Sequence, residues 1–455
     1  MTNPAPSERP AGQVYRAFWR WHFYAGLLVL PVLMLMALTG GLYLFKTEIS
    51  EVLYRRLLVT PQSAVQAPPS AWVASAERGL GGKVLQLVPP GEPDRSVQML
   101  VQRPGGEKLS AYVDPHDARL LGSTPQGGVM GTIKRLHSLD LFGTIANWLV
   151  EIVAGWAIVL VATGVFLWWP RGPAGLRGGG VVTVRGLPGK RVFWRDLHAV
   201  TGLFAGAVIV FLAATGMPWS AFWGQEVRKI TTEAGLGRPT PPGGGGHHEV
   251  NAQAVPWALQ GRTAMDMADM PGMAMNPPVA PLGVDAIVAR VDASGLPRPY
   301  VLSLPQTPGK AWSAAYMPDR VEETRTLYLD ALTGKPLADI GYRDFGPAAK
   351  AIEWGIAVHQ GQQFGLANKL VMLAGCVAVW LLGLSAVVMW WKRRPKGRLA
   401  APPAPVDRRA YGGLALVVVP LALLYPLVGA SLLVVLTLDI ALRRLIPTAR
   451  LKTEV

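Results

Sequence analysis

Four of the chain's seven histidines stand in settings that occur twice. His22 lies in "FWRWHFYAGLLVLPVLMLMALTGG" (18–41) and His198 in "FWRDLHAVTGLFAGAVIVFLAATGM" (193–217). Each is followed four residues on by Gly-Leu, at Gly26 and Gly202, and Thr-Gly comes 13 residues beyond that glycine, at Thr39-Gly40 and Thr215-Gly216. His137 opens "HSLDLFGTIANWLVEIVAGWAIVLVATGVFLWWPR" (137–171) and His359 opens "HQGQQFGLANKLVMLAGCVAVWLLGLSAVVMWWKRR" (359–394). Each of these precedes Phe-Gly by five residues and Trp-Trp by 31, with Thr163 and Ser385 at equivalent offsets. A single histidine at a membrane boundary reads as an interfacial side chain, but two like pairs read as sites, because ionisable groups near a span are few and costly. Two imidazoles facing each other across a bundle suit axial ligation of a haem iron. Gly26 and Gly202 lie one turn beyond their histidines and leave room for a flat macrocycle. Zinc or copper would usually need more than two protein ligands in one place, and nothing here gathers three.

The elements that must hold these histidines are membrane helices. Half of the 455 residues are hydrophobic, only 16% are charged, and the apolar residues run together at 22–45, 147–169, 199–222, 368–391 and 411–442. About 20 such residues cross the hydrocarbon core as a helix. The net charge of +15 could suggest nucleic acid, but the basic residues collect at alternate ends of the apolar runs. They form three groups: Arg9, Arg16 and Arg20; Arg171, Arg177, Arg185, Lys190, Arg191 and Arg195; and Lys392, Arg393, Arg394, Lys396 and Arg398. The positive-inside bias makes all three cytoplasmic and leaves about 46–140 and 224–358 outside. The first run exceeds a signal peptide's apolar region and lacks a small-residue cleavage site, so it reads as a retained span.

The expected order is a cytoplasmic N-terminus (1–21), helix 22–46, an external domain (60–125), and a helix with its preceding histidine segment (137–170). A basic loop (171–196), helix 197–223, an insert (224–280), a second external domain (281–342) and another histidine-led helix (355–391) follow. A basic loop (392–409) and an apolar hairpin (410–445), turning near Tyr425-Pro426, end the chain. The external segments also match: "EKLSAYVDPHDARLLGS" (107–123) resembles "ETRTLYLDALTGKPLAD" (323–339), and amphipathic stretches at 71–80 and 283–292 precede them. Each reads as a small helix plus antiparallel sheet. The whole is a polytopic α-helical membrane protein with two inserted α+β domains, duplicated in parallel topology. In that topology His22 and His198 begin helices entering from the cytoplasmic side, and His137 and His359 precede helices entering from outside. The pairs are therefore His22 with His198 and His137 with His359. The second pair lies about ten residues before the apolar core, roughly 15 Å in a straight helix. Either the chain folds back at Gly143 and Gly365, or that site sits at the outer rim.

These features resemble the PepSY-associated transmembrane family. The resemblance rests on the repeated Phe-Trp-Arg…His-x-x-x-Gly-Leu…Thr-Gly helices, the Tyr112-Val-Asp114 and Tyr328-Leu-Asp330 repeats and the Trp-Trp-basic helix ends, over about 14–447. It implies two b-type haems held by His22, His198, His137 and His359, PepSY-like domains in the periplasm, and a bacterial inner-membrane location. It also implies ferric-siderophore reductase activity, an oxidoreductase passing electrons to a periplasmic ferric chelate. The chain has no dinucleotide glycine motif, so a separate cytoplasmic or membrane donor would supply the electrons. Two other readings are a non-enzymatic PepSY regulator or binding protein, and a copper-handling protein.

The copper reading rests on the insert, where His247 and His248 precede Met265, Met267, Met270, Met273 and Met275. Thioethers and imidazoles suit copper, while the Gly/Pro-rich context equally suits a flexible linker. His116, in a turn, reads as a solvated surface residue. Cys376 is the single cysteine, so no intrachain disulfide forms and the thiol reads as an apolar filler. No Ser-His-Asp, HExxH or phosphate-loop pattern occurs, which disfavours hydrolases and ATPases.

Overall fold

A computed structural model describes residues 10–63, 65–239, 282–306, 310–394, 402, 405 and 407–445. The chain divides into two compact units. One takes the chain up to Gly41, His137–Gly224 and the residues from Val371 onward; the other takes Leu42–Leu136 and Gln225–Leu370.

The first unit is helical. Its helices are α1 (Pro10–Tyr43), α5 (Thr144–Trp168), α6 (Arg191–Gly216) and most of α10 (Gly365–Arg393). Four segments, Gly12–Tyr43, Thr144–Trp168, Arg191–Trp219 and Gly365–Arg393, are long and apolar enough to cross a membrane. Helices form there because, away from water, only internal hydrogen bonding satisfies the backbone. Two shorter apolar helices, α11 (Gly412–Leu424) and α12 (Pro426–Leu445), turn at Tyr425 as expected, since Pro426 cannot continue the preceding helix. The core joins Ala25 and Val29 of α1, Trp156 and Val159 of α5, Ala213 of α6 and Val428 of α12. Small residues let these helices approach closely. A Cβ added at Gly155 would collide with Val428, and one at Gly383 would lie 2.6 Å from Met34 Sδ.

Two sequence-based boundaries are corrected. His22 and His198 do not begin their helices: α1 starts 12 residues before His22 and α6 seven before His198. The Phe-Trp-Arg turns continue the helix, and their rings and guanidinium groups make stacked contacts such as Arg393 over Trp19 at 4.8 Å.

The second unit holds α2 (Lys46–Leu58), α3 (Pro69–Leu80), β1 (Lys83–Val88), β2 (Val97–Gln102), β3 (Lys108–Val113), β4 (Leu120–Pro125) and most of α4 (Gly128–His137). It also holds α7 (Trp223–Glu233) from Gln225 on, α8 (Val284–Ala293), β5 (Val301–Ser303), β6 (Trp312–Tyr316), β7 (Arg325–Leu329), β8 (Pro336–Gly341) and α9 (Pro347–His359). Helix, four antiparallel strands and helix thus occur twice. The expectation of two separate sheet domains at 60–125 and 281–342 is corrected: the strands form one eight-stranded sheet, ordered β4-β3-β2-β1-β5-β6-β7-β8. The join is antiparallel, Gln86 opposite Ser303 and Leu87 opposite Leu302. It pairs two edges that would otherwise present open backbone groups. The core of this unit lies between the sheet and α3 with α8, around Trp72, Leu87, Ile287, Tyr300 and Leu302. Ser70 and Asp285 tie the first turns of α3 and α8 with two 2.7 Å hydrogen bonds.

Candidate functional site: imidazoles pinned between helices

The imidazoles of His22 and His198 face each other in the helical unit, with ring centres 6.1 Å apart and planes at 88°. Each is held through the same nitrogen. His22 Nδ1 donates to Thr163 Oγ1 on α5 at 2.9 Å. His198 Nδ1 donates to Ser385 Oγ on α10 at 3.0 Å and to the Leu382 carbonyl at 3.1 Å. The direction follows from the hydroxyl protons. Thr163 Oγ1 gives its own to the Val159 carbonyl at 2.7 Å, and Ser385 Oγ gives its own to Leu382 at 3.0 Å. Each oxygen is left to accept, so each Nδ1 carries a proton and each Nε2 keeps its lone pair.

His137 repeats the arrangement. Its Nδ1 lies 3.1 Å from Thr39 Oγ1 and 3.0 Å from the Met36 carbonyl, and Thr39 donates its hydroxyl proton to Leu35 at 2.7 Å. Burial lowers the pKa of this imidazole while the Met36 carbonyl acts the other way. α1 and α5 therefore clasp each other reciprocally: α5 pins the histidine of α1, and α1 pins the histidine that leads into α5. On α1, His22 and Thr39 are 17 residues apart, roughly 25 Å along the axis. That is close to the ~30 Å thickness of a hydrocarbon core, so the two imidazole positions lie toward opposite ends of the span.

The chain reaches His137 by folding back. α4 ends at His137, Leu139 has φ +55°, Gly143 has φ +92°, and α5 starts after it. Of the two alternatives left open by the sequence, this segment takes the fold-back. Asn147 Nδ2, in the first turn of α5, secures the break by donating to the Ser138 carbonyl at 2.7 Å. In the second unit α9 ends at His359, Gly361 and Gly365 have φ +71° and +59°, and Asn368 Nδ2 donates to the Val358 carbonyl at 2.9 Å. His359 is half-buried there. The structure thus brings His22 and His198 together and divides His137 and His359 between the two units.

The glycines after the hydroxyls have a steric reason. A Cβ at Gly164 would stand 3.3 Å from His22 Cε1, and one at Gly40 would stand 3.1 Å from His137 Cε1. Thr-Gly therefore supplies an acceptor and room for the ring it holds. Gly26 and Gly202 differ: added Cβ atoms would meet only Leu160 and Leu382, at 3.9 and 3.6 Å. Protein packing does not require glycine at either place.

The donor set of the first pair is two neutral imidazoles. Metal–imidazole bonds of about 2.0–2.1 Å put two rings on opposite sides of one ion roughly 6 Å apart between centres, and the 6.1 Å separation fits that. Asp196, two residues before His198, is fully buried but committed to Arg185 at 2.7 Å and Arg195 at 2.6 Å. Among the described residues no group of three His, Cys, Asp or Glu side chains could hold a metal ion. Two neutral imidazoles with no third protein ligand among the described residues are a donor set that would suit a haem iron.

The remaining candidates are quickly placed. His247, His248, Met265, Met267, Met270, Met273 and Met275 lie outside the described residues. His116 is not solvated but half-buried: its Nδ1 donates to the Val65 carbonyl at 2.8 Å and its backbone N–H to Asp114 at 2.9 Å. Asp114 and Asp330, in the repeated Tyr-x-Asp stretches, organise the turns that follow them. Cys376 packs near Gly41, as a filler would. The sheet unit carries a pocket of about 510 Å³ whose lining includes Lys46, Ser50, Tyr54, Arg95, Ser110 and Tyr112. Sequence reasoning missed the roles of Thr39, Thr163, Ser385 and Asn147. Their matched offsets were the available signal.

Apolar helices long enough to span, a sheet unit and imidazoles pinned between helices define a polytopic membrane protein with a paired set of histidines in its helical unit. The chain belongs to the family described as the PepSY-associated TM region, whose model matches residues 19–393. A search of curated proteins gives no match.

Proposed function

We propose that the chain is a haem-dependent membrane oxidoreductase of the bacterial inner membrane, which passes electrons from a donor on the cytoplasmic side to a ferric chelate, such as a siderophore complex, in the periplasm. The observation that carries this reading is the His22–His198 pair, with rings 6.1 Å apart and both Nδ1 atoms engaged. His22 and His198 would hold one haem b; a second, at His137 and His359, is what the sequence repeat and the family resemblance imply. Bound there, haem supplies one-electron transfer inside the membrane.

The chain's own residues do the rest. Thr163 and Ser385 fix the tautomer and orientation that leave Nε2 as the ligand, and Thr39 does so for His137. Gly26 and Gly202 keep side-chain bulk away from the helix faces near the inner pair. The packed aromatic and apolar core around Trp21 and Trp156 excludes water, which lowers the local dielectric. The basic groups support a cytoplasmic N-terminus, with the sheet unit and its pocket in the periplasm as two PepSY-like halves of a duplication. The regulator reading leaves the pinned imidazoles without a use, and the copper reading rests on an insert outside the described residues.

Stopped-flow mixing of dithionite-reduced protein with a ferric siderophore tests the reading. The haem bands are expected to return to the oxidised form with the ferric complex and to stay reduced with its gallium analogue. No oxidation by the ferric complex would contradict it.

A further inference from the structure

The second half of the sheet unit buries an arginine that nothing pairs. Arg238 is 4% exposed, and its Nε, Nη1 and Nη2 atoms are all buried with no hydrogen-bond partner among the described residues. The Phe345 ring covers one face of the guanidinium at 3.8 Å. Glu353, itself buried, Tyr328 and Asp344 are the groups that act on its charge. Asp344 is turned to other partners, the Gly341 N–H at 2.8 Å and Arg343 at 3.7 Å. Glu353 also acts on Arg228 of α7, so two cations bear on one buried carboxylate. Burial draws the Arg238 guanidinium down to about 10 while Glu353 acts the other way, and the group is still charged at neutral pH.

The loop that carries Arg238 is fixed in place. Gly346 N donates to the Gly237 carbonyl at 2.6 Å and Ala349 N to the Leu236 carbonyl at 3.3 Å, which ties residues 236–238 to the start of α9. A Cβ at Gly346 would collide with both carbonyls. The N-terminal end of α9 adds a positive partial charge at the same place. A guanidinium held here is costly unless something supplies acceptors and a counter-charge, and water supplies only the first.

The duplication indicates that the fold makes room at this position. Gly131 and Glu353 each stand six residues before their histidines, His137 and His359, and Tyr112 and Tyr328 occupy the matched Tyr-x-Asp stretches. In the first half, Gly131 and Tyr112 line the pocket of about 510 Å³. In the second half, the corresponding Glu353 and Tyr328 act on Arg238. An arginine therefore stands where the other half is hollow.

We propose that Arg238 anchors a binding site for a small monocarboxylate. With one face stacked on Phe345, the guanidinium offers its N–H donors in the plane, where a planar carboxylate meets two of them side by side. One negative charge balances Arg228 and Arg238 against Glu353. A halide would bring the charge but leave most of the fork unpaired, and the burial of Arg238 admits only a small ligand. The site is independent of the haem reading.

The experiment titrates the full chain, purified in detergent without carboxylate buffers, with isotopically labelled formate. It follows the formate carbon line width by NMR, and the thermal midpoint against sodium chloride of matched ionic strength. It is run on wild type, Arg238→Gln and Arg238→Lys. In wild type the line should broaden saturably, and the midpoint should rise above the chloride control with the logarithm of formate concentration, as a ligand of the folded state requires. In Arg238→Gln both responses should vanish. In Arg238→Lys, which keeps the charge and loses the fork, formate should bind about tenfold or more weakly. Equal formate responses in wild type and Arg238→Gln, or no saturable broadening in wild type, would overturn the site. If Arg238→Gln does not fold, Arg238→Lys decides, and formate binding as tight as in wild type overturns the anchor.

Discussion

Thr163 and Ser385 each accept a hydrogen bond from the Nδ1–H of a histidine on another helix, and that decides which nitrogen is left for a metal. Partners of this kind tune the ligand, and removing one typically weakens metal binding by about 10–100-fold. Thr163→Val keeps the shape and loses the acceptor. The loss should show as an increase of about tenfold or more in the rate of haem transfer to a competing apoprotein. Thr163→Ser should restore wild-type retention, and a Val variant as retentive as wild type would contradict the role. At this scale the sequence was partly legible. The histidines and their pairing were visible as a repeat. The hydroxyls were visible as matched offsets only, because Thr163 acts on a residue 141 positions away.

α5 meets the C-terminal hairpin at Gly155, where an added Cβ would collide with Val428, whereas at Gly202 it would make only a 3.6 Å contact with Leu382 Cδ2. Two substitutions to alanine therefore separate helix packing from space for a cofactor. Gly155→Ala should cost about 1–3 kcal/mol by overpacking and lower the thermal midpoint in detergent. Gly202→Ala should leave that midpoint near wild type but reduce haem content. If Gly155→Ala unfolds like wild type, or Gly202→Ala keeps full haem, the packing account fails at that position. Spans, the amphipathic stretches at 71–80 and 283–292 and the turn at Tyr425 were legible, because periodicity and proline act locally. The starts of α1 and α6 were not. Tryptophan and arginine at a membrane boundary interrupt hydropathy without interrupting a helix.

At the scale of the molecule, the sheet was the part the sequence misjudged: β1 and β5 pair although Leu87 and Leu302 are 215 residues apart. Two half-sheets with unpaired edges were the local reading, and their union depends on a complementarity that no single stretch displays. Topology, by contrast, rests on charge that can be read directly. Cysteines introduced at Ser123 and Ser313 should react with an impermeant thiol reagent in spheroplasts, and one at Arg185 should not; the opposite pattern would invert the direction of electron flow. The central claim is that paired histidines hold haem, and haem content per chain tests it most directly. Purified wild-type protein should carry about two low-spin b-type haems, and His198→Ala about one, because an iron with a single protein ligand is held more weakly. A colourless wild-type protein expressed with ample haem, or an unchanged haem content and spectrum in both His198→Ala and His359→Ala, would contradict it.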